Sequence, residues 1–350
     1  MKVVVVGGSG FIGTRLTDVL LERGHTVTTF DTVPSTAKST THIEGDVRDV
    51  IALTAAVADH EAIINLAAAH RDDVQPLSLY SEINVDGARA ICEAATATGI
   101  SRVVFTSTVA IYGLDKVNPT EDFDPDPFNE YGRTKIRAEK VLTTWADDDD
   151  FRSLAIVRPS VVFGEGNRGN VHTLAAQIAS GRFIQVGNGA NKKSMSYVGN
   201  VVEFLADCLD APAGVHITNF ADKPDLSTAE LVALLRDTLG RTRGASIRLP
   251  LAVGVLAGQL FDLVAKVTGK QFAISAVRMR KFAAETTVGT DRLAATGFTP
   301  RYTLHESLVR TLSTEFPGLA VNTGSASDAH GHAAAAAAAA AAKLPTTDAE

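Results

Sequence analysis

The sequence predicts an α/β protein: a Rossmann-type, doubly wound parallel sheet with a smaller, mostly helical C-terminal lobe. Short apolar runs in the first half alternate with longer segments whose apolar residues recur at helical spacing. The apolar runs are mostly unbroken, which is typical of strands buried on both faces of a parallel sheet. A glycine-rich turn directly follows the first of these runs. Together the observations predict the strand–helix alternation that winds such a sheet.

Each predicted element follows from one of these patterns. In the first half the predicted strands cover 2–7, 26–30, 62–67, 102–107 and 153–158, and the predicted helices cover 11–23, 49–58, 79–98 and 130–146. After residue 164 the alternation loosens, and short strands are predicted over 196–198 and 215–218. Helices of this half are predicted over 171–180, 199–210, 227–239, 250–267, 273–284 and 304–315. The second half therefore adds the edge of the sheet and a helical lobe, with a ligand cleft between them.

The turn "VGGSGFIG" carries glycines whose spacing suits a bound dinucleotide. Gly7 permits the tight turn, Gly10 lets backbone N–H groups approach a pyrophosphate, and Gly13 allows close packing of helix on strand. The helix that begins with Phe11 and Ile12 then presents its positive end to the phosphates. Because the turn follows a strand and opens a helix, we expect it to hold a dinucleotide.

An acidic residue at the end of the second predicted strand selects the cofactor. Asp31 lies 18 positions after Gly13, directly after the strand "TVTTF". A carboxylate there accepts hydrogen bonds from the adenosine ribose hydroxyls and repels a 2′-phosphate. No arginine immediately follows it, so NAD is favoured over NADP, with Lys38 as the residue that opposes this preference.

The segment "YGRTK" places Tyr131 and Lys135 four residues apart at the start of a predicted helix, hence on one face. A tyrosine with its usual pKa near ~10 is a poor base at neutral pH. We expect the lysine ammonium, with a nicotinamide cation beside it, to favour the phenolate and lower that pKa. The pair therefore predicts a proton-transfer site next to a nicotinamide.

A hydroxyl-rich segment completes the predicted site. "FTSTVAIYG" (105–113) lies at the carboxyl end of the strand predicted over 102–107, where open α/β sheets bind ligands. Thr108 or Ser107 is placed there to hydrogen-bond a substrate hydroxyl while Tyr131 takes its proton.

At this point the sequence resembles the extended short-chain dehydrogenase/reductase family, in particular its nucleotide-sugar epimerase/dehydratase branch. The resemblance covers about residues 1–316, and it rests on a series of short motifs. These are "GGSGFIG", Asp31, "GDVRD" (45–49), "NLAA" (65–68), "NVDG" with Asn84, "STVAIYG", "YGRTK" and "VRPSVVFGEGN" (157–167).

The resemblance implies further cofactor contacts. Asp46 and Val47 would bracket the adenine, and the segment at 66–68 would line the middle of the cofactor. The cofactor-binding residues expected from the motifs and the resemblance are Gly7, Gly10, Phe11, Ile12, Gly13, Asp31, Asp46, Val47, Leu66, Ala67, Ala68, Asn84, Tyr131, Lys135 and Pro159. Asn84 would also support the geometry of the active site. Thr108 matches the family's catalytic Ser/Thr better than Ser107, because it stands four residues before the Tyr of the "YG" pair.

The family's dehydratases carry an Asp-Glu pair directly after the catalytic threonine, and this chain has Val109 and Ala110 there. Without that acid and base, elimination of water is not expected. The remaining reaction is oxidation at a carbinol carbon, either transient, as in a nucleotide-sugar epimerase, or net, as in a related sugar 4-reductase. By resemblance Lys193 lies where relatives bind a nucleotide diphosphate through arginine. Further substrate candidates are Asn167, Arg168, Asn170, Arg278 and Arg280.

Other functions remain open at this stage. A dehydrogenase of a hydrophobic alcohol, such as a sterol or flavonoid, uses the same catalytic residues. The apolar stretch 250–269 favours this alternative, because it could contact a hydrophobic substrate. A binding protein without turnover has no need of the complete Thr108–Tyr131–Lys135 set. By analogy with the family we expect a homodimer built from the helices at 79–98 and 130–146.

The bulk properties limit the remaining classes. A net charge of −7 argues against binding to a nucleic-acid backbone. Cys92 and Cys208 fall in apolar helical patterns, as in a reduced, cytoplasmic protein, and no histidine or cysteine spacing indicates a metal site. No signal peptide is expected. Since Gln259, Asp262 and Lys266 interrupt 250–269, we expect that stretch to pack on the protein rather than to span a membrane.

These inferences divide the chain into three parts. We expect an NAD-binding domain over 1–165, its sheet completed by parts of 196–220, and a substrate-binding lobe over 166–316. Residues 317–350 include a run of ten alanines without apolar periodicity, and we expect a disordered low-complexity tail.

Overall fold

The computed structural model describes residues 1–37, 40–71, 74–241, 247–250 and 284–319. Several sequence predictions fall outside this range. They concern Lys38, the bulk of the helices over 250–267 and 273–284, Arg278, Arg280 and residues 320–350 of the tail.

Seven parallel strands form the central sheet, which confirms the predicted fold class. Its strands are β1 (Lys2–Val6), β2 (Thr26–Asp31), β3 (Thr41–Glu44), β4 (Ala62–Asn65), β5 (Arg102–Thr106), β6 (Ser153–Pro159) and β10 (Gly214–Phe220). Their order across the sheet is β10-β6-β5-β4-β1-β2-β3. The order reverses between β1 and β4, and in open α/β sheets ligands bind in the crevice at such a point.

Smaller sheets lie in the second half of the chain. One contains β11 (Asp222–Ser227), β9 (Lys192–Tyr197) and β7 (Val161–Phe163), and the other pairs β12 (Ile247–Leu249) with β8 (Ile184–Val186). The strand predicted over 196–198 is observed as the longer β9, which belongs to the smaller sheet, and β10 extends the central sheet.

Helices cover both faces of the central sheet, and further helices belong to the second half of the chain. The described helices are α1 (Phe11–Glu22), α2 (Val50–Val57), α3 (Ser78–Ser81), α4 (Gly87–Thr98), α5 (Glu130–Asp147), α6 (Asn170–Ala179), α7 (Val198–Asp207), α8 (Thr228–Thr238), α9 (Asp291–Ala295) and α10 (Leu304–Glu315). Val3 and Val5 of β1 face a core shared with α1, α7 and α10, whereas Val4 and Val6 face α2, α4 and α5. Because both faces of β1 are buried in this way, residues 3–6 are all valine.

Further elements differ from the sequence prediction, among them an edge strand and a helix of the first half. Strand β3, "THIE", pairs in parallel with β2 at the sheet edge, where only one face needs apolar residues. The helix predicted over 79–98 contains a π-helical turn at Glu82–Asp86, which hydropathy at a period of 3.6 residues does not reveal.

No helix among the described residues has the length and apolarity needed to cross a bilayer. The stretch 250–269 lies almost wholly outside the described residues.

Candidate active site

The glycine-rich turn connects β1 to α1 at the crevice between β1 and β4. Gly7 has a φ of +79°, and a Cβ there would lie 2.7 Å from the backbone nitrogen of Ala67. A Cβ on Gly13 would lie 2.5 Å from the carbonyl oxygen of Gly7. Side chains are excluded at both positions, so the turn can only close as tightly as it does with glycine.

The first turn of α1 presents unused backbone donors. Gly10 is the N-cap residue and makes no side-chain cap hydrogen bond, and the N–H groups of Phe11 and Ile12 have no acceptor within the helix. A Cβ on Gly10 would meet only the Gly7 carbonyl oxygen, at 3.3 Å. The turn therefore has both the space and the donors for a pyrophosphate, and its residues fit the NAD expected from the sequence.

Asp31 ends β2 with its carboxylate held against this turn. It accepts hydrogen bonds from the backbone nitrogens of Ser9, at 3.0 Å, and Val33, at 3.3 Å. These bonds fix the carboxylate at the site where a ribose would lie. Further along, Arg48 hydrogen-bonds the carboxylate of Asp46 and lowers its pKa.

The residues after β4 are held by a buried amide. The Leu66 nitrogen donates to the Val6 carbonyl at 2.8 Å, which continues the sheet pairing beyond β4. Asn84 accepts from the nitrogen of Ala69 at 2.8 Å and donates to the hydroxyl of Thr134 at 2.9 Å. The π-helical turn thus aims Asn84 at α5 and at the segment after Ala68. The hydrogen bonds of the Asn84 side chain are made to other protein groups, so its role is to position the segment after β4 against α5.

Thr108 starts the 3₁₀ turn Val109–Tyr112 directly after β5. Its hydroxyl oxygen accepts a hydrogen bond from the Ala110 nitrogen at 3.1 Å, which leaves the hydroxyl proton free to point elsewhere. The same hydroxyl donates toward the Tyr131 phenol oxygen and thereby opposes the rise in the pKa of Tyr131. The structure therefore brings Thr108 and Tyr131 together.

Helix α5 approaches this turn unusually closely. Asn129 caps the helix by accepting from the Gly132 nitrogen at 3.0 Å. A Cβ on Gly132 would lie 2.8 Å from the carbonyl oxygen of Ala110 and 2.8 Å from Cβ of Pro127. Glycine at 132 is what allows the first turn of α5, with Tyr131, to lie against the Thr108 turn.

Desolvation is the largest contribution to the pKa of both members of the pair. Burial raises the pKa of Tyr131 to about 12, and the hydrogen bond from Thr108 opposes that rise. Burial also lowers the pKa of Lys135 to about 7, against the opposing field of Glu139. The lowering of the Tyr131 pKa by Lys135 and a nicotinamide cation stays a prediction, because it includes the bound cofactor.

Two neighbouring residues lie at the carboxyl ends of the adjacent strands. Ser107 is buried, and its hydroxyl has no hydrogen-bond partner among the described residues, nor has that of Thr106. Pro159 ends β6 and is also buried. An unpartnered hydroxyl at the crevice is what a polar ligand group would satisfy.

The predicted substrate residues are occupied by internal contacts. Asn167 donates to the carbonyl of Val162 at 2.9 Å, and the exposed Arg168 lies 3.7 Å from a carboxylate oxygen of Glu315. Lys193 donates to the carbonyl of Ala284 at 3.0 Å, and burial lowers its pKa to about 8. The structure does not bring these residues to the Thr108–Tyr131 pair through any direct contact within the described residues.

Sequence analysis missed a charged group beneath the site. Glu139 follows Lys135 by one helical turn, and Arg158 of β6 pairs with it through two hydrogen bonds of 3.0 and 2.6 Å. The signal was present in the spacing of Lys135 and Glu139, but charged helix residues usually face solvent.

Comparison with known proteins identifies the family. A model described as the NAD dependent epimerase/dehydratase family matches residues 3–220. The chain is 45% identical over 317 residues to the N-acetyl-α-D-glucosaminyl-diphospho-ditrans,octacis-undecaprenol 4-epimerase of Escherichia coli O157:H7, covering 90% of this chain and 95% of the relative. It is 28% identical over 316 residues to a UDP-glucose 4-epimerase of Corynebacterium glutamicum, covering 87% and 92%.

A solved structure has the same fold. The UDP-glucose 4-epimerase of Thermus thermophilus in complex with NAD superposes with a TM-score of 0.71 at 21% identity, covering 90% of this chain and 99% of that one. The family match and the glycine turn agree with the NAD expected from Asp31. The chain therefore belongs to the NAD-dependent epimerase/dehydratase family, as an NAD-dependent enzyme of the extended short-chain dehydrogenase/reductase type.

Proposed function

We propose that this enzyme is a 4-epimerase of an N-acetylhexosamine joined through a diphosphate to a polyprenyl lipid. The observation that carries the proposal is the 45% identity, over nearly the full length of both chains, to an epimerase of that substrate class. The apolar stretch 250–269, which first suggested a greasy substrate, agrees with a lipid carrier. The chemistry is the transient oxidation that the catalytic residues suggest.

In this reaction Tyr131 takes the proton of the sugar C4 hydroxyl and later returns it. Thr108 donates its hydroxyl proton to the same oxygen once substrate replaces the Tyr131 phenol as the acceptor. A nicotinamide held at the turn after β1 would supply an acceptor for the C4 hydride and a donor for its return. The planar ketone turns over between the two transfers, so that hydride returns to the opposite face and the C4 configuration is inverted.

The binding assignments belong to the same proposal. Gly7, Gly10 and the first turn of α1 would hold the pyrophosphate of the cofactor, and Asp31 would bind its ribose. Lys135 and Ser107 would add polar contacts. Lys193 would bind the diphosphate of the substrate, and Asn167 and Arg168 its sugar, once their internal contacts give way.

A substrate panel tests the proposal. Purified protein is incubated with polyprenyl-diphospho-N-acetylglucosamine and, separately, with UDP-N-acetylglucosamine, and the hexosamine released by mild acid is analysed. We expect conversion to the C4 epimer with the lipid-linked substrate and at least ~10-fold slower conversion with the nucleotide substrate. Inversion of the nucleotide-linked sugar at the higher rate contradicts the proposed carrier. If neither sugar is inverted at C4, the proposed epimerase activity is contradicted.

A nucleotide-sugar epimerase is the second candidate. The similarity to the UDP-glucose 4-epimerase of Corynebacterium glutamicum favours it. Lys193 supplies a point charge where that branch of the family uses arginine, which suits a diphosphate of either substrate.

The assembly and location of the enzyme are also proposals. We propose a homodimer through α4 and α5, the two helices that the family uses. Light scattering of the purified chain tests it, and a monomeric mass contradicts it. A cytoplasmic location is supported by Cys92 and Cys208, which are free thiols.

A further inference from the structure

A buried ion pair lies directly beneath the catalytic lysine. Lys135, Glu139 and Arg158 are 1%, 3% and 4% exposed. Lys135 and Glu139 lie one turn apart on α5, and Arg158 reaches Glu139 from β6. Three charges buried together interact far more strongly than charges at a surface.

Arg158 fixes the carboxylate in place. Its Nε and Nη2 atoms donate hydrogen bonds to the two carboxylate oxygens of Glu139, and its Nη1 atom donates to the Tyr112 hydroxyl at 2.8 Å. Tyr112 in turn donates to the side-chain oxygen of Asn219 at 2.8 Å. Glu139 therefore has no freedom to swing toward or away from Lys135 without breaking this network.

The surroundings of Lys135 offer little other charge. Its ammonium lies 4.0 Å from the centroid of the Phe105 ring, whose face attracts a cation. The 3₁₀ turn and β6 bring Tyr112 and Arg158, while the π-helical turn and β10 bring the uncharged Asn84 and Asn219. The buried Glu121 joins the same network, because its carbonyl accepts from Arg158 and its carboxylate accepts from the Asn219 nitrogen. Within the described chain, Glu139 is the carboxylate whose field acts on Lys135.

We propose that Glu139 is a positioning residue that keeps Lys135 cationic, and that Arg158 limits the strength of this effect. Burial alone drives a lysine toward its neutral form, and a neutral lysine cannot stabilise a phenolate. The carboxylate opposes that loss. Arg158, whose positive charge lies beyond the carboxylate, reduces the field that Lys135 feels.

The two partners are therefore expected to act on Lys135 in opposite directions. Glu139→Gln removes the negative charge and leaves the Arg158 cation, so the Lys135 titration moves to lower pH by about one to two pH units. Arg158→Met leaves the carboxylate unbalanced, so the titration moves to higher pH. The double variant E139Q/R158M removes both charges, and its titration is expected between those of E139Q and the wild type.

Lysine labelled with ¹³C at Cε in the full-length protein reports this titration by NMR, with Lys135→Met used to assign the signal. The readout needs no substrate, so it stands even where the proposed epimerisation fails. The decline of turnover on the alkaline side should follow the same order in the four proteins, and this second readout rests on the proposed function.

The outcomes distinguish an electrostatic effect on the pKa of Lys135 from a purely structural role of Glu139 and Arg158. If both single variants only unfold more easily, while the Lys135 titration stays unchanged or moves in the same direction in both, the inference is overturned. Where a single variant does not fold, the double variant decides, because it leaves neither Glu139 nor Arg158 buried without its ion-pair partner. A Lys135 titration in the double variant equal to that of the wild type also contradicts the inference.

Discussion

At the scale of single residues, the phenol of Tyr131 is the group on which the chemistry depends. Burial raises its pKa to about 12, and among the described residues only the Thr108 hydroxyl works in the other direction. The chain alone therefore holds Tyr131 as a protonated phenol at neutral pH. Positive charge from Lys135 and from a bound nicotinamide is what would bring it into the working range.

The first prediction concerns Thr108. Thr108→Val keeps the shape of the side chain but removes the hydroxyl that bonds the phenol and the substrate oxygen. We expect kcat to fall by about 10²-fold and the acid side of the pH profile to move to higher pH, because the phenolate loses its donor. Steady-state rates across pH measure both effects.

Thr108→Ser is the matched control, since it retains the hydroxyl, and it should keep most of the rate. Equal losses in the Val and Ser variants would assign Thr108 to packing instead.

The second prediction separates chemistry from binding at Tyr131. Tyr131→Phe removes the proton acceptor and leaves the ring, so kcat should fall by about 10²–10⁴-fold. NAD affinity, measured by calorimetry, should change only a few-fold. A variant that loses NAD and activity together would show that the hydroxyl holds the cofactor rather than the substrate proton.

At the scale of elements, catalysis depends on how closely α5 lies against the turn that follows β5. Gly132 sets that approach, because any Cβ there would clash with the Ala110 carbonyl. The Asn129 cap fixes where the helix begins. Backbone contact between the two elements thus determines the distance between Thr108 and Tyr131.

The third prediction follows from this contact. Gly132→Ala should move the start of α5 away from the turn, lower kcat at least ~10-fold and destabilise the fold by about 1–3 kcal/mol. Urea unfolding and steady-state kinetics measure the two effects. Gly318→Ala is the control, because a Cβ at Gly318 meets no atom within 4 Å. A fully active Gly132→Ala enzyme would contradict the role given to this packing.

The sequence was most informative where one physical constraint acts alone. Burial on both faces makes the strands apolar without interruption, and this pattern predicted the sheet. Close backbone contact requires glycine in the turn after β1, and this pattern predicted the crevice. The edge strand β3 escaped notice because Ile43 is its one strongly apolar residue. The π-helical turn escaped because Asn84 is held by partners from two distant segments.

At the scale of the whole molecule, burial of the Lys135 ammonium lowers the free energy of unfolding relative to an apolar side chain at the same position. Below pH 7 the Lys135 ammonium is charged in both the folded and the unfolded chain, and only the folded chain bears the cost of burying it. Between its folded pKa of about 7 and the ordinary lysine pKa of 10.5, the unfolded chain binds more protons. Stability therefore rises with pH in this window.

The fourth prediction uses that sign. Lys135→Met should abolish turnover yet raise the free energy of unfolding by about 1–4 kcal/mol at pH 6, because Glu139 keeps Arg158 as its partner. The gain should shrink as pH rises toward 10. Urea unfolding at pH 6, 8 and 10 measures it. A gain that is independent of pH would mean that Lys135 is not a buried cation in the folded chain.

The pKa values of Tyr131 and Lys135 are set at this scale. Spacing along one helix predicts that Tyr131 and Lys135 share a face. Desolvation depends on everything packed around the helix, including Phe105 of β5 and Arg158 of β6. No local pattern in "YGRTK" carries that information.

The central claim is that hydride leaves and returns to the same sugar carbon, and an isotopic label tests it most directly. Substrate deuterated at C4 is incubated with the enzyme in ordinary water, and the epimer is analysed by mass spectrometry and NMR. We predict inversion at C4 with the deuterium retained on that carbon. An inverted product whose C4 deuterium has been replaced by solvent hydrogen would contradict the account.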